Sequence, residues 1–213
     1  TDLAPFTLII KNGDGDSGGG VFYENDSETL SKAGAYMVYK AWNGITFEDL
    51  TKDGVIDGDS GGMTFVTLSI DGFIKFDDIT NTIKTTTGKI SMIAGSGGIN
   101  IGNPVMGSNN SPGAGLINLV TTNGGDISTG YLNVLGGRDT YITVLSSGSL
   151  TISGGSSQGA IQAHTNTTDT SESSTAEICL QAAENINVNG FIDAESHGKQ
   201  ASYANTHIHA DGT

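Results

Sequence analysis

Asp14-Gly-Asp-Ser-Gly-Gly19 recurs in this chain as Asp57-Gly-Asp-Ser-Gly-Gly62, and these are the first residues whose type and spacing suggest chemistry. Asp14 and Asp16, and again Asp57 and Asp59, place carboxylates at alternate positions of a glycine-rich turn. Asn12 and Asp53 stand just ahead of them. Oxygen ligands converging from alternate positions suit a hard cation, and Ca²⁺ is the natural candidate. The turns depart from an EF-hand loop, because Gly18 falls one place late and no Glu closes the loop. A flexible acidic turn without an ion is the competing reading.

The same strings mimic the surroundings of a chymotrypsin-like serine nucleophile. That chemistry needs a His base and a buried Asp, which precede the Ser in that family. Here His164, His197, His207 and His209 all follow Ser17 and Ser60, so the match is a decoy. Cys179 is the only cysteine, which excludes a disulfide within the chain. Ile178 and Leu180 flank it, and period-two alternation then turns the thiol outward, as a candidate for a disulfide between chains. His207 and His209 flank Ile208 and share its opposite face, with His209 expected one coil from Cys179. Two ligands fall short of a metal site. Asp71, Asp77 and Asp78 form the one acidic group that a glycan-cleaving enzyme could use. Asn25, Asn109 and Asn166 each open an Asn-x-Ser/Thr glycosylation sequon.

The chain has 213 residues, with 9 Lys and Arg against 23 Asp and Glu, for a net charge of −14. Nucleic acid is an unsuitable partner for such a surface, since phosphate contacts need cations. Between Ile90 and Gly198 the only Lys or Arg is Arg138. No apolar run approaches the roughly 20 residues of a membrane-spanning helix. The sequence starts at Thr1 without Met, as expected of a secreted protein after removal of its leader. Glycine, at 32 residues, with Thr, Ser and Asn, dominates the composition. Such a composition can signal disorder, but here the aliphatic residues fall in short blocks at steady intervals.

Those blocks set the architecture. Ile90, Ile117, Ile142, Ile178 and Ile208 each head a short alternating segment, at spacings of 27, 25, 36 and 30 residues. After each of the first four comes a second apolar segment (Ile99–Ile101, Ile127, Leu150–Ile152, Ile186–Val188). In three turns a third follows (Leu132–Val134, Ala160–Ala163, Phe191–Ala194). Three strands and three turns per period form one coil of a solenoid. The pattern continues backward through Phe65–Leu68 and Met37–Tyr39, with Leu8–Ile10 as the expected first visit. Ser27–Trp42 reads either as the chain's one helix or, from Ala35 to Trp42, as a strand. The expected fold is therefore all-β, a parallel β-solenoid (β-helix) of about 25–30 residues per coil. Residues 1–62 are expected to be a less regular β region, a possible cap or assembly segment, and residues 63–213 the solenoid.

This periodicity resembles the right-handed parallel β-helices of secreted proteins, especially filamentous-haemagglutinin-like adhesins and, more loosely, the pectate-lyase-like fold. The resemblance implies an extracellular or cell-surface structural protein, an adhesin rather than an enzyme, that self-assembles through strand edges into an amyloid-like filament, sheath or surface layer. Its expected partners are copies of itself, with surface glycans as a second class. Leu8, Ile9 and Ile10 at one end, and His207, Ile208 and His209 at the other, are the expected assembly edges. The alternative from the same resemblance is a carbohydrate-active enzyme or glycan-binding module.

Overall fold

Side chains alternate between two faces of a strand, and along Asp139–Ser146 burial alternates residue by residue, with Thr140, Ile142, Val144 and Ser146 inward. One such strand cannot bury its inward face alone, and the chain solves this by stacking equivalent strands in parallel. The computed structural model describes residues 7–11, 22–23, 37–48, 55–57, 62–76, 82–85, 89–107, 115–154, 159–165, 173–197 and 201–212. All regular structure among them is β.

The first strands are β1 (Thr7–Lys11), β2 (Phe22–Tyr23), β3 (Met37–Ala41), β4 (Gly44–Glu48) and β5 (Val55–Asp57). Each later coil then contributes one strand to each of three sheets. The second contains β6 (Met63–Thr67), β7 (Phe73–Phe76) and β8 (Thr82–Thr85), and the third β9 (Lys89–Ala94), β10 (Gly98–Asn100) and β11 (Asn103–Gly107). Next come β12 (Gly115–Thr121), β13 (Ile127–Thr129) and β14 (Leu132–Gly136), then β15 (Asp139–Ser146), β16 (Leu150–Ile152) and β17 (Ile161–Thr165). The last full coil contains β18 (Ser174–Ala182), β19 (Ile186–Val188) and β20 (Ile192–Glu195), and β21 (Ser202–Ala210) adds one further rung to sheet 1. Sheet 1 runs β3-β6-β9-β12-β15-β18-β21, sheet 2 runs β2-β1-β4-β7-β10-β13-β16-β19, and sheet 3 runs β5-β8-β11-β14-β17-β20. Among the described residues every pairing is parallel except that of β1 with β2. This is the expected β-solenoid.

Register shows how the core is built. Met63, Ile90, Ile117, Ile142 and Ile178 stand opposite one another through successive strands of sheet 1, and all are fully buried. The last rung corrects the sequence reading. Thr206, not Ile208, stands opposite Ile178, and Ile208 stands opposite Leu180. A slip of two residues leaves every side chain on its original face, so the hydrophobic pattern cannot detect it. Leu8 is also displaced from its expected place. It pairs with Ile45 in sheet 2, in the second segment of a coil rather than the first. Over Ser27–Trp42 the strand reading holds for Met37–Ala41. Parallel register extends back past Met63, since β3 pairs with β6, β4 with β7 and β5 with β8.

Large rings fill the core of the early coils. Tyr39 stacks on Phe65 at 5.1 Å between ring centroids, and Phe47 meets the edges of both Phe65 and Phe76. Aliphatic residues take over from Ile90 onward. The corners between sheets 1 and 2 are tied coil to coil by polar side chains. Ser96 donates to Asp71 (3.1 Å), the Ser149 amide donates to Asp126 (2.7 Å), and the Ser149 hydroxyl donates to Glu184 (2.8 Å). At two of these corners a glycine has a positive φ. A Cβ on Gly98 (φ +78°) would lie 2.6 Å from the Asp126 carbonyl oxygen of the next coil, whereas Gly124 (φ +82°) has open space around it.

Two pairs of substitutions test this architecture by chemical denaturation. Ile142→Ala should lose about 2–5 kcal/mol, because its cavity is walled by adjacent rungs, while Thr143→Ala on the outer face should change stability by about 0.5 kcal/mol or less. Equal losses would contradict the inward column. Gly124→Ala should lose about 1–2 kcal/mol for its left-handed backbone alone, and Gly98→Ala clearly more, because the neighbouring backbone must also move.

Candidate functional site

Parallel stacking leaves an end, and the last described coil shows what that end looks like. Among the described residues no strand lies beyond β19, β20 or β21 in its sheet. In β18 the inward residues Ala176, Ile178, Leu180 and Ala182 are fully buried. One rung later Ile208, in register with Leu180, is 50% exposed. The other two sheets repeat the change. Leu150 and Ile152 of β16 are fully buried, but their partners Ile186 and Val188 are only partly so, as are Ile192 and Ala194 beyond Ile161 and Ala163. The described residues thus bury the inward side chains of this coil only in part. Phe191 and Tyr203, both more than half exposed, lie outside this inward column, Tyr203 opposite the outward Thr175 and Phe191 at a corner beside Gly159.

Of the expected assembly residues, His207, Ile208 and His209 lie on this terminal strand. Leu8, Ile9 and Ile10 lie in β1, where β4 covers one edge and Tyr23 of β2 already pairs with Ile10 on the other. His209 is not the neighbour of Cys179. Cys179 stands opposite Thr143 on one side and His207 on the other, in the outward ladder Ser91–Asn118–Thr143–Cys179–His207, while His209 stands opposite Gln181. The two-residue slip of β21 accounts for this too. The Asn118 side-chain amide donates to the Ser91 hydroxyl at 3.2 Å along that ladder. His209 instead contacts Asp211 at 2.8 Å.

The thiol is outward, as alternation requires, and half-buried. Burial first, and then the negative charge of Glu177 two residues away on the same face, raise its pKa above the ordinary value. Both disfavour the thiolate.

Of the calcium candidates, Asp14, Asp16 and Asp59 lie outside the described residues, and Asp57 is placed only by its backbone, opposite Lys84 in sheet 3. Asn25, Asn109 and Asn166 also lie outside them, as do Asp77 and Asp78. Asp71 is at a corner and accepts the Ser96 hydroxyl.

A second group of polar side chains went unnoticed in the sequence. Asp193 and Glu195 project from the outer face of β20, and His197 follows just past its end. His164 projects from the outer face of β17, opposite Glu195. His164 Nε2 lies 3.0 Å from Asp193 Oδ2, and His197 Nε2 lies 2.8 Å from Glu195 Oε1. One donor atom from each of His164, Asp193 and Glu195 falls within 4.8 Å of the others. The visible signal was Asp193-x-Glu195-x-His197, carboxylates and an imidazole on alternate positions. His164 joins them only through coil register, 29 residues before Asp193.

No protein-family model, curated protein or solved structure matches this chain. Among the described residues no helix is long and apolar enough to cross a membrane.

The raised thiol pKa carries a pH prediction. Thiolate is the reacting form, so alkylation of Cys179 by iodoacetamide should be slow at neutral pH and climb about tenfold per pH unit up to the raised pKa. Glu177→Gln should accelerate it at fixed pH. A rate that levels off near neutral pH would contradict the assigned environment.

Proposed function

We propose that this chain is a structural, adhesive β-solenoid of the cell exterior whose copies join end to end through open strand edges. The loss of burial from Leu180 to Ile208, repeated from Leu150 to Ile186 and from Ile161 to Ile192, carries this reading. A further rung on this end would bury those side chains and pair the free backbone groups of all three sheets. The occupant assigned to it is a second copy of this chain. Among the described residues, β3 and β5 have no strand on the side facing away from the rest of the stack. Pairing β21 of one copy with β3 of the next and β20 with β5, head to tail, would extend sheets 1 and 3 in parallel, while β2 already occupies the corresponding edge of sheet 2. It also repeats without closing, which yields a filament.

A net charge of −14 opposes such packing. Calcium held by the Asp14–Asp16 and Asp57–Asp59 turns fits this account as a cation that lowers the repulsion. A disulfide through Cys179 would follow association rather than drive it, since its thiolate is disfavoured. The resemblance to secreted β-helical adhesins supports the extracellular placement and leaves surface glycans as a further partner class.

Ile208→Lys and Val188→Lys test the reading. Both residues are partly exposed in the single chain, so the substitutions should leave its thermal unfolding nearly unchanged while placing a charge where two copies meet. Sedimentation of the unaltered chain should show concentration-dependent growth that calcium promotes, with filaments by electron microscopy, and both variants should remain monomeric. A monomeric unaltered chain at high concentration with calcium present would overturn the proposal.

A further inference from the structure

We infer that His164, Asp193 and Glu195, with His197 as a fourth ligand, form a binding site for a first-row divalent metal ion, Zn²⁺ in particular, that clasps the last strand of sheet 3 to the rung before it. The inference is independent of self-association, because the cluster faces outward from sheet 3, although β20 is itself the last strand of that sheet.

The donors sit on two adjacent paired strands, His164 on β17 and the carboxylates on β20. Ala163 and Ala194 are in register on the inward face, which turns His164, Asp193 and Glu195 outward together. Zinc bonds to imidazole nitrogen and carboxylate oxygen are about 2.0–2.2 Å long, which separates the donors of a tetrahedral ion by about 3.3 Å. The contacts of 3.0 Å and 2.8 Å, and the 4.8 Å bound on the three-atom group, bracket that separation. The donors of His164, Asp193 and Glu195 thus already converge, and His197 joins them through its contact with Glu195.

The backbone around the cluster is fixed independently of any ion. The His197 amide donates to the Thr165 hydroxyl at 2.8 Å, tying the end of β20 to the end of β17. The Ser196 hydroxyl donates to the Ser174 carbonyl oxygen at 2.9 Å, tying the same segment to β18. His197 is therefore held beside the sheet after the strand has ended.

Ligand chemistry selects the ion. Imidazole favours zinc and its neighbours over calcium and magnesium, which prefer oxygen alone. Two carboxylates offset the charge of a divalent ion, and the exposure of Asp193, Glu195 and His197 leaves room for water to complete the coordination. Each ligand must be unprotonated to bind, so zinc displaces a proton from any histidine that carries one. No bond to carbon or change of oxidation state is involved.

Calorimetric titration of the full chain with zinc chloride should give one ion per chain, and bound zinc should raise the melting temperature through preferential binding to the folded state. Co²⁺ should produce a visible absorption band of a nitrogen–oxygen site, and a tenfold excess of calcium should not remove it. His164→Ala and Glu195→Gln should each weaken zinc binding at least tenfold, whereas His209→Ala should leave it unchanged. Glu195 is exposed enough for its substitution to leave the fold intact, as circular dichroism would check. If His164→Ala fails to fold, histidine resonances of the unaltered chain decide instead, with the His164 ring shifting on zinc addition. Absence of stoichiometric zinc binding, or binding that survives Glu195→Gln and is lost in His209→Ala, would overturn the inference.

Discussion

Every backbone N–H and C=O in a stacked coil must find its partner on the rung above or below, and the rest of this molecule depends on that requirement. Within the stack it is met by parallel pairing in three sheets at once, with a rise of about 4.8 Å per rung. The inward residues then meet their counterparts, as Ile117 meets Ile90 and Ile142, and bury one another completely. Packing and hydrogen bonding thus share one register, and neither can shift without the other. Among the described residues, the last rung has no strand beyond it and its inward side chains are only partly buried. This is why the open coil, rather than a pocket or a catalytic cluster, is the centre of the functional account.

The outer surface divides into regions of different character. Sheet 1 presents the polar ladder through Ser91, Asn118 and Thr143 beside an outward aliphatic column of Val66, Ile93, Val120 and Leu145. The corner between sheets 1 and 2 is laced by Asp71, Asp126 and Glu184 with serine partners. Sheet 3 carries the His164, Asp193 and Glu195 cluster at its last two rungs. All four histidines belong to the final two coils, and His164, His197 and His209 each contact a carboxylate. The chain's imidazoles are therefore concentrated beside its last described rung, whereas its lysines, Lys199 apart, lie at or before Lys89.

Much of the stack was legible because strict alternation over Ile117–Leu119, Ile142–Val144 and Ile178–Leu180 leaves one inward face per strand, and repetition identifies the strands as equivalents. What was lost follows from the same physics. A two-residue slip preserves facing, so nothing in the alternation distinguished Thr206 from Ile208 as the partner of Ile178. The third-sheet strands Thr82–Thr85 and Asn103–Gly107 escaped notice because Lys84, the flanking threonines and Pro104 interrupt their apolar pattern. Pairing from neighbouring rungs holds them in place despite weak local preference. The His164 cluster was invisible for a third reason. Its members lie on different coils, and only a known register brings residue 164 beside residues 193 and 195. Cys179 was placed outward correctly because its neighbours Ile178 and Leu180 are both unambiguous core residues.

Residue-resolved hydrogen exchange, followed on dilute and on concentrated protein, tests most directly whether the stack is continuous inside and open at its end. The account predicts slow exchange throughout β12 and β15 at every concentration. In β19, β20 and β21 the amides that point away from the stack should exchange fast in dilute protein and become protected in concentrated protein. Fast exchange in β12 and β15, or a last rung that stays unprotected after copies have associated, would contradict it.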